Sequence, residues 1–269
     1  MHQDTPHRLC GIVVLALALA MALSACSLDS LLLEDDGSTT TWRVDDPFFE
    51  PGGFSHSEGR MSYQTESLVV SKTGIDIADH QGEIDWEAVA ADGISFAFVR
   101  IGYRGTTEGN LYADELFETN LAEARAAGIE CGVYFYSQAT TEDEAREEAL
   151  YTLELLDSRE LEYPVVFDYE PNEGDRLKNI GVEAATACTK AFCETIQSAG
   201  YQTMVYGNKY DLRHLDLEGI PNCKVWFAQY ASHPTRTDPF VIWQYSSTGT
   251  VSGVDTSVCL DLDLSEALQ

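Results

Sequence analysis

The chain predicts an α/β fold built on a single incomplete TIM-type barrel, and three observations carry that prediction. Short apolar runs alternate with helical patterns through residues 73–269, eight such runs occur, and the gaps between the last three are too short for full helices. Strand–helix alternation implies a parallel sheet with covering helices, and eight strands imply closure. A complete barrel of this kind takes about 250 residues, so the shorter span fits one whose last helices are lost.

The strand runs fall at 74–77, 95–101, 131–136, 164–169, 203–206, 225–230, 241–245 and 258–262. They are short and rich in β-branched and aromatic residues, which favours strands over helices. Helical patterns occupy the early gaps. The first, 86–91, is short. The second, 113–127, carries Leu116, Leu121 and Ala124 on its apolar face and stops at Gly128. Thr141-Glu142-Asp143-Glu144 reads as a capping box opening a helix through Leu150, Leu153 and Leu156. Val182, Ala185, Thr189, Phe192, Ile196 and Ala199 share one helical face that ends at Gly200.

The preceding residues divide into a signal, 1–25, and an acidic flexible tether, 26–72. Arg8 leads into an apolar run over 9–23, shorter than the ~20 residues that a spanning helix needs. A basic start, a short apolar core and terminal small residues describe a secretory signal. Leu23-Ser24-Ala25-Cys26 resembles the bacterial lipobox, which implies cleavage before Cys26 and lipidation of its thiol. Acyl chains there would hold the protein on the extracytoplasmic face of the cell membrane without a spanning helix. Glu34-Asp35-Asp36, Ser38-Thr39-Thr40-Thr41 and Pro51-Gly52-Gly53 give 26–72 the composition of a tether, with Trp42, Phe48 and Phe49 as scattered aromatics.

The formal net charge is −29, most of it within 73–269. Such acidity excludes passive attraction to nucleic acid, which requires Lys and Arg to displace phosphate counterions. It also excludes a polybasic grip on anionic lipid.

Tyr163-Pro164-Val165-Val166-Phe167-Asp168-Tyr169-Glu170-Pro171 is the most informative segment. Residues i and i+2 share a strand face, so Asp168 and Glu170 project together at the strand's C-terminal end, where barrel enzymes place their active sites. Crowded carboxyls raise each other's pKa, and a raised carboxyl can donate the proton that glycoside cleavage requires. Asp76 stands inside the apolar first strand, where an acid needs a partner; a salt bridge to Arg100 is one candidate. Asp79 reads as an exposed or turn residue, and His80 as a turn or rim residue. Near the last strand Asp255, Asp261 and Asp263 compete for a place in the site. Aromatic side chains cluster at strand ends: Tyr103, Tyr134, Tyr136, Tyr206, Trp226, Tyr230 and Trp243, the last followed by Gln244. Singly each reads as barrel core; as a set they suggest a groove that stacks on sugar faces.

The ordered motifs Gly74-Ile75-Asp76-Ile77, Phe98-Val99-Arg100-Ile101-Gly102-Tyr103, Gly132-Val133-Tyr134-Phe135-Tyr136, Asp168-Tyr169-Glu170, Val225-Trp226-Phe227-Ala228-Gln229-Tyr230 and Trp243-Gln244-Tyr245 resemble glycoside hydrolase family 25, the Chalaropsis-type lysozymes or N-acetylmuramidases. The resemblance covers 73–269. It implies a (β/α)5(β)3 barrel, cleavage of the β-1,4 bond from N-acetylmuramic acid to N-acetylglucosamine in peptidoglycan, and no metal or organic cofactor. By position Glu170 would be the general acid, Asp168 would orient substrate and stabilise positive charge, and Asp76 would match the family's first-strand acid. The substrate's own N-acetyl group is the implied nucleophile. The chain departs from the family at Ala78, where a small hydroxyl residue is common, and at Tyr136-Ser137 in place of a His-Phe type ending. Val258-Cys259-Leu260-Asp261 stands where the family often has Val-Asp-Leu-Asn, which leaves Asp255 to supply the fourth acid. The competing readings are a silent wall-binding lipoprotein on the same barrel and a hydrolase of another acetamido-sugar polymer. A monomer is expected.

Beyond Cys10 and Cys26 the chain has Cys131, Cys188, Cys193, Cys223 and Cys259. Export permits disulfides, the odd count leaves one thiol unpaired within the chain, and sequence does not decide the pairing. No cysteine pair has zinc spacing with a nearby His.

Overall fold

The computed structural model describes residues 47–66, 68–220 and 222–268. Cys26, the signal and the first part of the expected tether lie outside them. The strands are β1 (Phe54–Ser57), β2 (Arg60–Thr65), β3 (Leu68–Val69), β4 (Lys72–Ile77), β5 (Phe96–Arg104), β6 (Leu111–Ala113), β7 (Glu130–Tyr136), β8 (Val165–Asp168), β9 (Thr203–Asn208), β10 (Cys223–Ala228), β11 (Ile242–Gly249) and β12 (Val258–Asp263). The α-helices are α1 (Trp86–Ala91), α2 (Phe117–Ala126), α3 (Glu142–Leu156) and α4 (Val182–Ser198). All eight expected strand runs are strands.

Those eight close into a ring. β4, β5, β7, β8, β9, β10 and β11 pair in parallel around the barrel. β12 runs antiparallel to both β11 and β4 and completes the closure. A parallel connection needs a dozen or more residues. Residues 229–241 supply that between β10 and β11 without a helix, whereas 250–257 are too few, so the last strand turns back. After β9, where the resemblance implied a fifth helix, the chain makes two 3-10 turns, Leu212–His214 and Leu217–Gly219.

The second helix begins at Phe117 and not at 113. Residues Leu111–Ala113 instead form β6, pairing antiparallel with the end of β5, and Asp114 Oδ1 accepts the Leu116 N–H that opens the helical turn. Thr141 caps α3 by accepting the Glu144 N–H, at 3.2 Å. The Glu144 carboxylate, however, accepts from the N–H and hydroxyl of Thr140, so the reciprocal half of the expected box falls one residue early.

Strand alternation sorts side chains into two cores. Phe96, Phe98, Val166, Met204, Trp226 and Ile242 fill the barrel interior, while Val99, Val133, Phe167 and Val205 face the helices. Interior rings demand glycine on neighbouring strands. A Cβ at Gly74 would lie 2.3 Å from the Phe96 ring, and one at Gly132 2.5 Å from Phe98. Phe98 in turn stacks on Trp226 with ring centroids 4.5 Å apart. These rings plug the barrel below the acids and leave only its upper end open.

The tether expected over 26–72 is folded from at least residue 47. β1 and β2 form an antiparallel hairpin, extended by β3. Phe49, Met61 and Tyr63 are buried. Phe49 meets Phe240 at 5.0 Å and Tyr63 at 5.4 Å, and Phe54 meets Trp243 at 5.2 Å. Arg60 pairs with Asp92 at 2.6 Å and donates to the Thr250 carbonyl. The physical reason is the missing late helices. The outward faces around β10 and β11 are apolar and have no helix to cover them, so the preceding segment does so.

Candidate active site

Asp168 ends β8 and Glu170 lies two residues beyond, both facing a cleft of about 280 Å³ at the upper end of the barrel. Asp76 on β4 and Tyr134, Tyr136, Tyr206, Trp226, Tyr230 and Gln244 line the same cleft, as expected from sequence. His80, Arg100 and Cys259 line it too.

Asp76 is not salt-bridged to Arg100. Arg100 donates to Asp79 at 2.6 Å and to Asp114 at 2.8 Å, so Asp79 is an ion-pair partner at the rim. Asp76 accepts instead from Gln244 Nε2, at 2.7 Å. Gln244 Oε1 accepts from the hydroxyls of Tyr206 and Tyr230, each at 2.9 Å. Two phenol donors fix the oxygen end of the amide and therefore aim its nitrogen at Asp76.

Asp255 is exposed and outside the cleft. The register of β12 explains why: Cys259 sits opposite Asp76 and Asp261 opposite Gly74, so both point inward. Asp261 is fully buried, and its Oδ1 accepts from Trp226 Nε1 at 2.8 Å. Asp261 Oδ2 is buried without a hydrogen-bond partner. Burial first, then the Asp76 charge, hold Asp261 well above the carboxylate range. Burial raises Asp76 to about 6, opposed chiefly by the bond from Gln244.

Two further expectations fail for reasons of strand geometry. Ile242 and Gln244 face inward, so Trp243 faces outward, where it is buried beside Phe54 and donates to the Gln229 carbonyl at 2.8 Å. Tyr103 pairs with Tyr136 beyond an irregularity in β5, yet it stands outside the cleft lining because β6 brings Tyr112 against it. Its ring stacks on Tyr112 and lies beneath the Arg100 guanidinium.

Burial, reinforced by the charges of Glu170, Asp76 and Asp211, keeps Asp168 well above its usual pKa. Its Oδ1 is buried without a partner. Burial and then Asp211 raise Glu170 to about 7, with the Asp76 and Asp175 charges adding to the rise. Asp211 was not singled out from the sequence; its signal is Asn208-x-x-Asp211 directly after β9, where its carboxylate accepts the Asn208 N–H. Arg100 and His80 are the basic side chains in the cleft lining, and the Arg100 guanidinium is committed to Asp79 and Asp114. Glu170 can therefore carry a proton near neutral pH, as a group that protonates a leaving oxygen must.

The same protons link stability to pH. A carboxyl whose folded pKa exceeds its unfolded value, near ~4, binds its proton more tightly in the folded chain. Its favourable contribution is complete below ~4 and is lost as pH rises through about 6 for Asp76 and about 7 for Glu170. The melting temperature is accordingly expected to be ~5 °C or more higher at pH 5 than at pH 8. Calorimetry across that range checks this, and a higher melting temperature at pH 8 would contradict the buried-acid description.

The sequence matches the model of glycosyl hydrolases family 25 over residues 75–254, more than half of the chain. The chain belongs to glycosyl hydrolase family 25. This family 25 chain is 26% identical over 189 residues to an autolytic lysozyme of Clostridium acetobutylicum, covering 70% of itself and 54% of that protein. It is 24% identical over 209 residues to lysozyme M1 of Streptomyces globisporus, covering 69% of itself and 65% of the relative. Its fold is similar to the modular autolysin LytC of Streptococcus pneumoniae, solved with a synthetic peptidoglycan ligand, at a TM-score of 0.65 and 26% identity, over 78% of this chain and 52% of that one. The bacterial lysozyme of Streptomyces coelicolor matches in fold at a TM-score of 0.60 and 24% identity, over 71% of this chain and 90% of the other. The chain thus spans about half the length of the Clostridium relative and of LytC. The β1–β2 hairpin and β12 lie outside the matched family segment.

Proposed function

We propose that this family 25 chain is a peptidoglycan hydrolase, an N-acetylmuramidase that cleaves the β-1,4 bond between N-acetylmuramic acid and N-acetylglucosamine. The observation that carries the reading is Asp168 and Glu170 at one strand end, both with raised pKa, opening into an aromatic-walled cleft. Glu170 donates its proton to the glycosidic oxygen as the bond breaks. The N-acetyl oxygen of the same sugar attacks the anomeric carbon, and Asp168 stabilises the positive charge that develops on that group. The Glu170 carboxylate then takes a proton from the water that opens the intermediate. Asp76, held by Gln244, positions the N-acetyl group. Tyr134, Tyr206 and Trp226 form the floor on which the sugar rests.

The barrel is read as (β/α)5(β)3 with its fifth helix reduced to two 3-10 turns. The lipobox-like ending at Cys26 supports an exported, lipid-anchored monomer that works on the cell wall from the membrane. Only about twenty residues lie between Cys26 and residue 47, and so short a connection to the membrane favours wall turnover.

Reducing-end analysis of digested peptidoglycan tests the reaction. New muramic acid ends are expected. New glucosamine ends would place the cut at the other linkage, and no new ends would leave a wall-binding protein.

A further inference from the structure

Away from the cleft, two thiols are placed for chemistry that glycan cleavage does not use. Cys193 lies on α4 and is buried; Cys223 opens β10 and is half-exposed. Their Sγ atoms are 3.7 Å apart. A disulfide bond is about 2.05 Å long, so the two sulfurs need to approach by less than ~2 Å to bond. Thr203, paired with Cys223 across β9 and β10, lies beside both thiols. Cys131 stands on β7 and Cys259 on β12, while Cys188 shares α4 with Cys193.

We propose that Cys193 and Cys223 form a disulfide when the chain meets a disulfide oxidant, tying α4 to β10. The two thiols are unequal in the way the reaction needs. The bond from Cys193 holds the Cys223 thiol below its usual range, while the same bond and then burial push Cys193 up. Cys223 therefore ionises first, and it is the thiol that solvent reaches. Its thiolate attacks one sulfur of the oxidant and expels the other as a thiolate, leaving a mixed disulfide. Cys193 then loses its proton, attacks Cys223 Sγ and expels the second oxidant sulfur. Two protein thiols are oxidised, one external disulfide is reduced to two thiols, and the protons pass to the departing sulfurs.

The closed segment runs from α4 through β9 and carries Asn208 and Asp211, which border the cleft beside Glu170. The cross-link itself lies at the opening end of β10, remote from the acids at the closing ends of the strands. It should steady the late half of the barrel, the part without α-helices, and leave the chemistry untouched.

The test uses the full chain, purified reduced and then incubated with oxidised glutathione. After thiol alkylation in denaturant and digestion without reduction, mass spectrometry should find one peptide pair joining Cys193 to Cys223, lighter by two hydrogens, with Cys131, Cys188 and Cys259 alkylated. The oxidised chain should melt ~5–10 °C above the reduced chain, and Cys223→Ser should abolish that difference. Cys193→Ala provides the second arm if the first variant folds poorly. Recovery of Cys193 and Cys223 alkylated, or of Cys223 still carrying glutathione, would overturn the proposal, as would an undiminished redox-dependent melting shift in Cys223→Ser. None of these readouts depends on muramidase activity.

Discussion

Glu170→Gln is expected to slow glycan cleavage by about 10²–10⁴-fold while the fold is retained. Gln matches Glu in size and can fill the same place beside Tyr206 and Asp211, but it has no acidic proton for a departing sugar oxygen. The raised pKa of about 7 makes the parent carboxyl a donor at neutral pH, so parent activity should fall as pH rises through that value. The variant should lose this alkaline limb together with its rate. Stability should move little or upward, because the substitution removes a charge that burial already disfavours. Wall-suspension clearing and reducing-end release between pH 5 and 8, with a thermal melt of each protein, make the measurement. A variant that clears walls at the parent rate would show that the proton comes from elsewhere, with Asp168 the next carboxyl to replace.

The parts of the site legible in the sequence are those set by local geometry. Asp168 and Glu170 declare their shared direction through spacing alone, and the apolar run ahead of them marks the strand. Asp76 stands out because an acid inside an apolar strand needs a partner. Its actual partner, Gln244, and its neighbour Asp261 come from strands far along the chain and could be selected only by the pairing of β11, β12 and β4. The choice between Asp255 and Asp261 depends on that register, since a shift of one residue exchanges the two faces. Trp243 shows the complementary ambiguity. An aromatic at a strand end looks the same whether it lines a sugar groove or packs outside the barrel, and only the inward face of Gln244 decides. Tyr103 is held outside the cleft lining by Tyr112 of β6, a strand that the sequence pattern does not announce. The hairpin was hidden by composition: acids, glycines and serines surround the few aromatics that anchor it.

A chain begun at Thr73, where the strand and helix patterns start, is expected to aggregate on expression or to melt more than ~10 °C below the chain begun at Phe48. Three buried side chains decide the magnitude. Phe240, Trp243 and Tyr245 lie on the outward side of the late strands or the loop joining them. Their cover comes from Phe49, Phe54 and Met61. Exposing a large apolar side chain costs roughly 1.5–3 kcal/mol, and a domain's whole net stability is about 5–15 kcal/mol. Loss of two or three such contacts therefore consumes most of it and leaves an apolar patch on the surface. The ion pair between Arg60 and Asp92 is partly exposed and contributes about 0–1 kcal/mol, so Arg60→Ala should shift the melt by no more than ~4 °C. Phe49→Ala, which removes the ring meeting Phe240 and Tyr63, should cost about 3–5 kcal/mol. Thermal melts of both truncations and both variants separate burial from charge as the force that holds the hairpin. Equal melting of the two truncations would mean that the hairpin only rests on a barrel able to close its late strands unaided.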